Sequence, residues 1–392
     1  MVLERQRSTL NSISISKIFY LMFWLLKPFY IGASGSLQIG DMFILLSFVF
    51  VIFDRNVKAK FEKIDRNLYV FFAFVFFINS IYFMIYRNTD FIKTIFYYLF
   101  NFLGVFIGRI YFSDDGFLKL FDKVLKFNLL VQLAVYFIGA GRWMENTTRY
   151  MGTYNDPNQL AFAVLTTYCL IYCLSRKINA KYRFAYFLIA FFLILQTSST
   201  GMFMGFAFLV VSEIYFKLST IEKKSIKVLY SFFLIIITAM VILLAVYLVF
   251  FGDELEFDSN IFQRIQAKLN KGDNVVDGLI EDRNLTGFFE YPENILYGSG
   301  EAQHERFRRT DGEIHSTWLG LLFYYGVIPF CFLISWIKGN LKNVDKYIIP
   351  VYISIFVEAL TLINHRQPSF WALIVLGSFI VNKSHNKNIL EK

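Results

Sequence analysis

Apolar residues run along this chain in long, nearly uninterrupted blocks parted by short polar breaks, without the striped spacing of an amphipathic surface helix. Blocks of roughly 20 apolar residues match the hydrocarbon thickness of a bilayer. They predict membrane-crossing helices at Ile18–Ile31, Met42–Phe53, Leu68–Tyr86, Phe91–Phe112, Phe117–Gly139, Leu160–Leu174, Phe184–Gln196, Met202–Phe216, Val228–Phe251, Thr317–Ile337, Tyr347–Ile363 and Phe370–Val381. The expected fold is an all-α polytopic membrane protein of about twelve helices, with ten or eleven as the competing counts. Residues 1–392 would form a single integral membrane domain. The longest break, Gly252–Ser316 between the ninth and tenth helices, reads as one large loop.

The breaks carry an alternating charge pattern. Arg55, Lys58, Lys60, Lys63 and Arg66 lie between the second and third blocks, and Arg176, Lys177, Lys181 and Arg183 between the sixth and seventh. Lys217, Lys223, Lys224 and Lys227 follow the eighth, Lys338, Lys342 and Lys346 the tenth, and Lys383, Lys387 and Lys392 the last. Gly32–Asp41 and Thr197–Gly201 have no Lys or Arg, and the loop before the fourth block contributes only Arg87. Under the positive-inside rule the basic loops and both termini face the cytoplasm, and the large loop faces outward. Its mixed charges, with an acidic excess, do not offend the rule, because long loops escape it.

Composition agrees. The chain is 56% hydrophobic and 20% aromatic, with only 18% charged and a mean hydropathy of +0.49, where a soluble domain keeps about a quarter charged. The net charge of +9 is accounted for by the one-sided loops rather than by a nucleic-acid footprint. Cys169, Cys173 and Cys331 all fall inside apolar blocks and suggest neither disulfides nor a zinc site. Arg5 and Arg7 ahead of the first block resemble a secretion signal, but Lys27 interrupts the block and further blocks follow, so an uncleaved first helix is expected.

Candidate chemistry gathers in the outward loops. One group is Arg142, Arg149 and the run Gly152-Thr153-Tyr154-Asn155-Asp156-Pro157-Asn158; a second is Thr310-Asp311-Gly312-Glu313-Ile314-His315-Ser316; a third is His365-Arg366-Gln367-Pro368. Thr197-Ser198-Ser199-Thr200-Gly201 is a fourth, weaker one. His315 is a candidate proton acceptor or an interfacial anchor for its helix. Arg149 and Arg264 are candidate diphosphate ligands or partners of loop carboxylates. Arg306, Arg308 and Arg309 are crowded together and read as solvated. Residues Asn260–Lys271 read as a short helix with Ile261, Phe262, Ile265 and Leu269 on one face and Arg264, Lys268 and Lys271 on another, suited to a membrane interface or an ordinary surface. No Asp-x-Asp pair, His-Glu-x-x-His run, phosphate loop or Gly-x-Ser-x-Gly elbow occurs, so neither a metal nor a soluble cofactor is expected.

Three of these stretches together resemble the O-antigen polymerase and ligase superfamily of bacterial surface polysaccharide assembly. They are Arg149-x-x-Gly152 with Asp156-Pro157-Asn158, then Gly298-x-Gly300, then Glu313-Ile314-His315-Ser316-Thr317-Trp318-Leu319-Gly320 running on to Tyr325-Gly326-Val327. The resemblance covers roughly Arg149 to Trp371; the first five helices match only in general character. It departs at Ser199-Thr200, where members often carry Ser-Arg, and His365-Arg366 is a candidate source of the missing charge.

The resemblance implies a GT-C-like glycosyltransferase of the bacterial inner membrane, acting in lipopolysaccharide or capsule synthesis with a large periplasmic loop. Its substrate would be an undecaprenyl-diphosphate-linked oligosaccharide, with membrane lipids around it, a chain-length regulator as partner and no cofactor or metal. His315 would be catalytic, and Arg149, Arg264, Asn155, Asn158, Glu313, Arg309 and Arg366 would bind diphosphate or sugar. The polymerase is preferred, the ligase that moves glycan to lipid A core is the alternative, and a lipid-linked oligosaccharide flippase is the alternative of another class.

Overall fold

The computed structural model describes residues 14–32, 37–54, 62–145, 147–219, 228, 232, 283–307 and 312–381. The ninth block apart from Val228 and Phe232, the helix expected at Asn260–Lys271, Arg5, Arg7, Arg264, Arg308 and Arg309 lie outside the described residues.

The chain is mostly helical. Along it run α1 (Ile15–Leu26), α2 (Ile39–Phe53), α3 (Arg66–Tyr86), α4 (Asp90–Tyr111), α5 (Asp115–Phe137), α6 (Pro157–Lys177), α7 (Arg183–Thr197) and α8 (Thr200–Ser219). After these come the short α9 (Thr286–Glu290) and α10 (Asn294–Tyr297), then α11 (Thr317–Tyr325), α12 (Val327–Leu341), α13 (Ile349–Glu358) and α14 (Pro368–Gly377). A two-stranded antiparallel ribbon, β1 (Arg142–Trp143) and β2 (Tyr150–Gly152), joins α5 to α6.

Local chemistry accounts for the helix starts. The Asp114 carboxylate caps α5 by accepting from the Gly116 and Phe117 amides, and Asp156 caps α6 from Asn158 and Gln159, with Pro157 in the first turn. Ser316 caps α11 through the Leu319 amide. The first helix stops early, at Leu26, because Lys27-Pro28 follows and proline disfavours helix in the residue before it.

Among the described residues four stretches are long and apolar enough to cross a membrane: Lys63–Tyr86, Asp90–Tyr111, Pro157–Lys177 and Thr200–Leu218. Shorter apolar helices accompany them, α1, α2, α7, α12 and α14 among them. Large apolar side chains lie exposed on helix faces, including Met42, Val49 and Phe53 on α2 and Phe76, Phe77 and Ile85 on α3. Water penalises such a surface; a lipid environment suits it.

The last three expected crossings come out differently from the sequence pattern. Thr317–Ile337 is broken at Gly326 into α11 and α12, and Tyr347–Ile363 keeps helix only to Glu358. Nine residues, 359–367, then run as an arch before α14 begins. A ten-residue helix rises only about 15 Å, half a hydrocarbon core. α13 and α14 are therefore half-length helices joined by irregular backbone.

The core sits where α14 packs against α4, α6 and α12. From Phe370 through Gly377 every residue of α14 is buried. α6 also contacts α5 and α7, α13 lies along α8, α12 along α3, and α1 against α2 and α5.

Candidate functional site

The site begins with a crossing of two backbones. Gly298 closes α10 with φ +77°, and a Cβ there would stand 2.7 Å from the Tyr324 carbonyl oxygen. Gly326 ends α11 with φ +82°, and a Cβ there would stand 2.6 Å from the Leu296 carbonyl. Only glycine tolerates both the sign of φ and the contact. The closeness lets Ser299 and Gly300 donate their amides to the Phe323 and Tyr324 carbonyls at 3.2 and 2.9 Å. The next residue, Glu301, is thereby driven into the helix bundle.

Glu301 is 0% exposed. Its amide donates to Asn79 Oδ1 at 2.9 Å, and its carbonyl accepts from Thr94 Oγ1 at 2.7 Å. One carboxylate oxygen accepts from the hydroxyls of Tyr98 (2.8 Å) and Tyr325 (2.7 Å). The other faces His365 Nε2 at 2.9 Å and accepts from Arg366 Nε at 2.7 Å. Arg366 then turns its NH1 to both oxygens of Glu313, at 3.0 and 2.9 Å. His304 Nε2 stands 3.4 Å from Glu313, and the His304 ring lies beside that of Tyr324. Two carboxylates, one guanidinium and two imidazoles thus form a chain that starts fully buried at Glu301 and reaches Glu313, 34% exposed.

The electrostatics follow from this geometry. Burial pushes the Glu301 carboxyl up, but Arg366 and His365 outweigh it and hold the group below the usual carboxylate range. Burial also raises Glu313, and the His304 hydrogen bond with the Arg366 charge brings it down to about 2.

The arch 359–367 presents His365 and Arg366, and its backbone groups are satisfied from several sides. The Thr317 amide donates to the Ala359 and Leu362 carbonyls at 2.8 and 2.9 Å, and Thr317 Oγ1 accepts from the Asn364 amide at 2.7 Å. Asn101 and Trp371 donate to the His365 carbonyl at 3.1 and 2.6 Å. Arg283 donates to the Thr361 carbonyl, and the Arg283 carbonyl accepts from the His315 amide at 3.0 Å. The half-buried His315 ring is held below the ordinary imidazole range by burial first and by the Arg283 charge second, with Glu313 and Asp156 opposing. Arg283, whose carbonyl holds the His315 amide, is also the residue that bonds the arch at Thr361.

A second polar group adjoins them. Arg149 donates from Nε to the Thr197 carbonyl at 3.0 Å and from NH2 to Asn158 Oδ1 at 2.9 Å, which also accepts from Ser199 Oγ at 2.9 Å. The same turn continues to Gly201, which packs directly on the Thr361 side chain of the arch. The four sequence clusters therefore converge at one end of the bundle.

Of the residues expected to act there, Arg149, Asn158, Glu313, His315 and Arg366 are brought to this end. Asn155 is turned to scaffolding: its amide donates to the Gly32 carbonyl at 2.6 Å and its oxygen accepts from Arg142 at 2.5 Å. Arg366, a candidate replacement for the charge absent at Thr200, is engaged by Glu301 and Glu313. Arg306 is not crowded into solvent. Its guanidinium lies about 5 Å from the ring centres of Tyr82, Tyr86, Phe91 and Phe307, pinning the loop onto α3 and α4.

The sequence pattern passed over Glu301, Arg283 and His304. An acid directly after Gly298-x-Gly300 was the available signal for Glu301. Glu358, 0% exposed at the end of α13, was also missed; its carboxyl accepts from Asn364 Nδ2. Among the described residues no group of three His, Cys, Asp or Glu stands together as a metal-binding set. In comparisons with known proteins, the chain matches no family model and no curated protein.

Proposed function

We propose that this protein is a membrane glycosyltransferase that polymerises a surface polysaccharide, moving a growing glycan from its undecaprenyl diphosphate onto a new lipid-linked repeat unit. One observation carries the reading: arginines, an imidazole and carboxylates from four distant sequence clusters meet at one end of an apolar helical bundle. Such an end suits a substrate whose anchor lies in lipid and whose sugar lies in water.

The chemistry asks two things of the protein. The acceptor hydroxyl must lose its proton as it attacks the anomeric carbon, and His315, neutral near pH 7, takes it. The diphosphate that leaves gathers charge, and Arg149 and Arg283 at the same end supply fixed positive charge to meet it. In the proposed topology of about twelve crossings, with both termini cytoplasmic, this end faces outward in the inner membrane. The resemblance to the polymerase and ligase superfamily supports polymerase first and ligase second.

A flippase gains support from the half-length α13 and α14 and from the buried Glu358, since transporters use broken helices and intramembrane acids. Reconstitution with lipid-linked repeat units separates the readings, because a polymerase lengthens the glycan and a flippase only relocates it. In cells, His315→Ala at normal protein level is expected to leave single repeat units on lipid A core. Full-length polymer in that strain would remove His315 from the mechanism.

A further inference from the structure

By its place in the sequence the stretch 283–306 belongs to the end of a water-facing loop, yet its contacts follow the helices inward and back. At one end the Arg283 carbonyl holds the His315 amide, just ahead of α11. At the other the Arg306 guanidinium stands 5.1 Å from the ring centres of Tyr86 and Phe91, where α3 ends and α4 begins. Between those points the chain goes deeper. Phe288 packs on Phe323, near the end of α11, with ring centres 6.1 Å apart. The Leu296 carbonyl then lies against Gly326, where α11 gives way to α12.

The antiparallel pair α3 and α12 measures the depth of that contact. Asn67 Nδ2 donates to Ser335 Oγ at 2.8 Å, and the ring centres of Phe74 and Phe332 stand 6.3 Å apart. From Ser335 back to Val327 α12 rises about 12 Å, and the same rise along α3 leads from Asn67 to Val75. Leu296 at Gly326 is therefore level with Val75, about 16 Å short of Tyr86 at the end of α3. In a helix long enough to cross a membrane, that is about half the thickness of a hydrocarbon core. From there the chain climbs again. The Gly298 carbonyl accepts from Tyr82 Oη at 2.9 Å, and the Glu301 amide donates to Asn79 Oδ1 at 2.9 Å.

We infer that residues 283–306 form a re-entrant hairpin whose tip, Leu296 and Tyr297, meets lipid tails near the middle of the bilayer. The backbone suits that solvent. From Asn294 through Glu301 every backbone N–H has an acceptor within the protein, which hydrocarbon demands and water does not. The side chains suit it as well. Leu296 is 57% and Tyr297 74% exposed, and the Gly326 contact sets their backbone beside the start of α12. α12 goes on from there with Ile328, Cys331 and Ile334 exposed, so the tip extends an apolar face already fitted to lipid. Glu290 and Glu293 are exposed too, but they precede the tip. Their charges keep water or headgroups beside the descending limb and confine the lipid contact to its end.

The test places nitroxide labels on the full chain in phospholipid bilayers. Cys331→Ser removes the exposed thiol, while Cys169 and Cys173 are buried, so this background alone should take up no label. Single labels are carried by Leu296→Cys and Tyr297→Cys. Phe76→Cys, one residue beyond Val75 on α3, and Ile85→Cys, at the end of that helix, are the references, and all four positions are exposed. Oxygen concentrates in hydrocarbon and a nickel chelate stays in water, and each relaxes the labels that it reaches. At Leu296→Cys and Tyr297→Cys the ratio of oxygen to nickel relaxation is expected to match that at Phe76→Cys and to exceed that at Ile85→Cys several-fold. Nickel relaxation at both positions as strong as at Ile85→Cys would make the segment a water-facing loop. Weak relaxation by both reagents would mean that protein covers the tip. Either result overturns the lipid contact. Neither reagent reports on catalysis, so the outcome stands whatever reaction the charged site performs.

Discussion

At Glu301 a carboxylate without solvent contact is held by Tyr98 of α4, Tyr325 of α11 and the neighbouring His365 and Arg366 of the arch. Removing one member of a buried pair leaves the other charge uncompensated, which typically costs about 3–5 kcal/mol. Glu301→Gln is therefore expected to destabilise the detergent-solubilised protein by about 3 kcal/mol, read as a fall in unfolding midpoint. A midpoint within error of wild type would mean that Arg366 rests mainly on Glu313. The same pairs set an acid limit. Glu313 has a folded-state pKa of about 2 against an ordinary 4.5, and Glu301 is also depressed. Their stabilisation is fully present above 4.5 and is lost as pH falls from there toward 2. Thermal melts across that window should show the decline, and Glu313→Gln should make it shallower. Arg366, Glu313 and His315 were legible in the sequence because they are polar residues in loops flanking apolar blocks. Glu301 was not, because Tyr98 lies 203 residues away and no local pattern reports such a partner.

At the scale of elements, the six helices from α3 to α8 agree with the apolar blocks to within a few residues, because each block ends at a polar break, charged in most cases and the uncharged Thr197–Gly201 between α7 and α8. Apart from the first helix, which ends at Leu26 instead of Ile31, the errors among the described residues fall in the last three blocks. Summed hydropathy responds to side chains and cannot register a break at Gly326 or an arch that begins at 359, where the backbone leaves the helix while the residues stay largely apolar as far as Ile363. The arch exists because Thr317, Asn101, Trp371 and Arg283 satisfy its backbone groups from other elements. The Gly298–Gly326 crossing gives the sharpest prediction here. Gly298→Ala must adopt φ near +77° with its Cβ 2.7 Å from a carbonyl oxygen, so it should lower stability by about 2 kcal/mol or more. If Gly298→Ala melts like wild type, the close backbone crossing that delivers Glu301 is wrong.

For the whole molecule, the charged site at one end is balanced by a second polar clamp at the other. Arg109, toward the end of α4, donates from Nε and NH2 to the two oxygens of Asp65 at 2.9 and 2.8 Å and from NH1 to Ser378 Oγ at 2.5 Å. Trp336 Nε1 donates to the same Asp65 at 2.8 Å, and Asn340 accepts from Arg109. The clamp ties the start of α3, α4, α12 and the end of α14 into one unit, while Thr94 and Tyr98 in the first half of α4 hold Glu301. Arg109→Lys keeps the charge but loses the planar fork, and is expected to cost about 2 kcal/mol in a melt while leaving the His315 end intact. Retained stability would show that charge alone suffices.

By itself the sequence determined the apolar helices, their approximate ends and the charge alternation between loops, because lipid-like solvation acts on each segment independently of its neighbours. Only the tertiary structure decided which polar groups meet. It broke the last helices, drew Glu301 inside and assigned Arg366 to two carboxylates. The reason is physical: a buried charge survives only with partners, and those of Glu301 are supplied by packing between segments 24 to 203 residues apart.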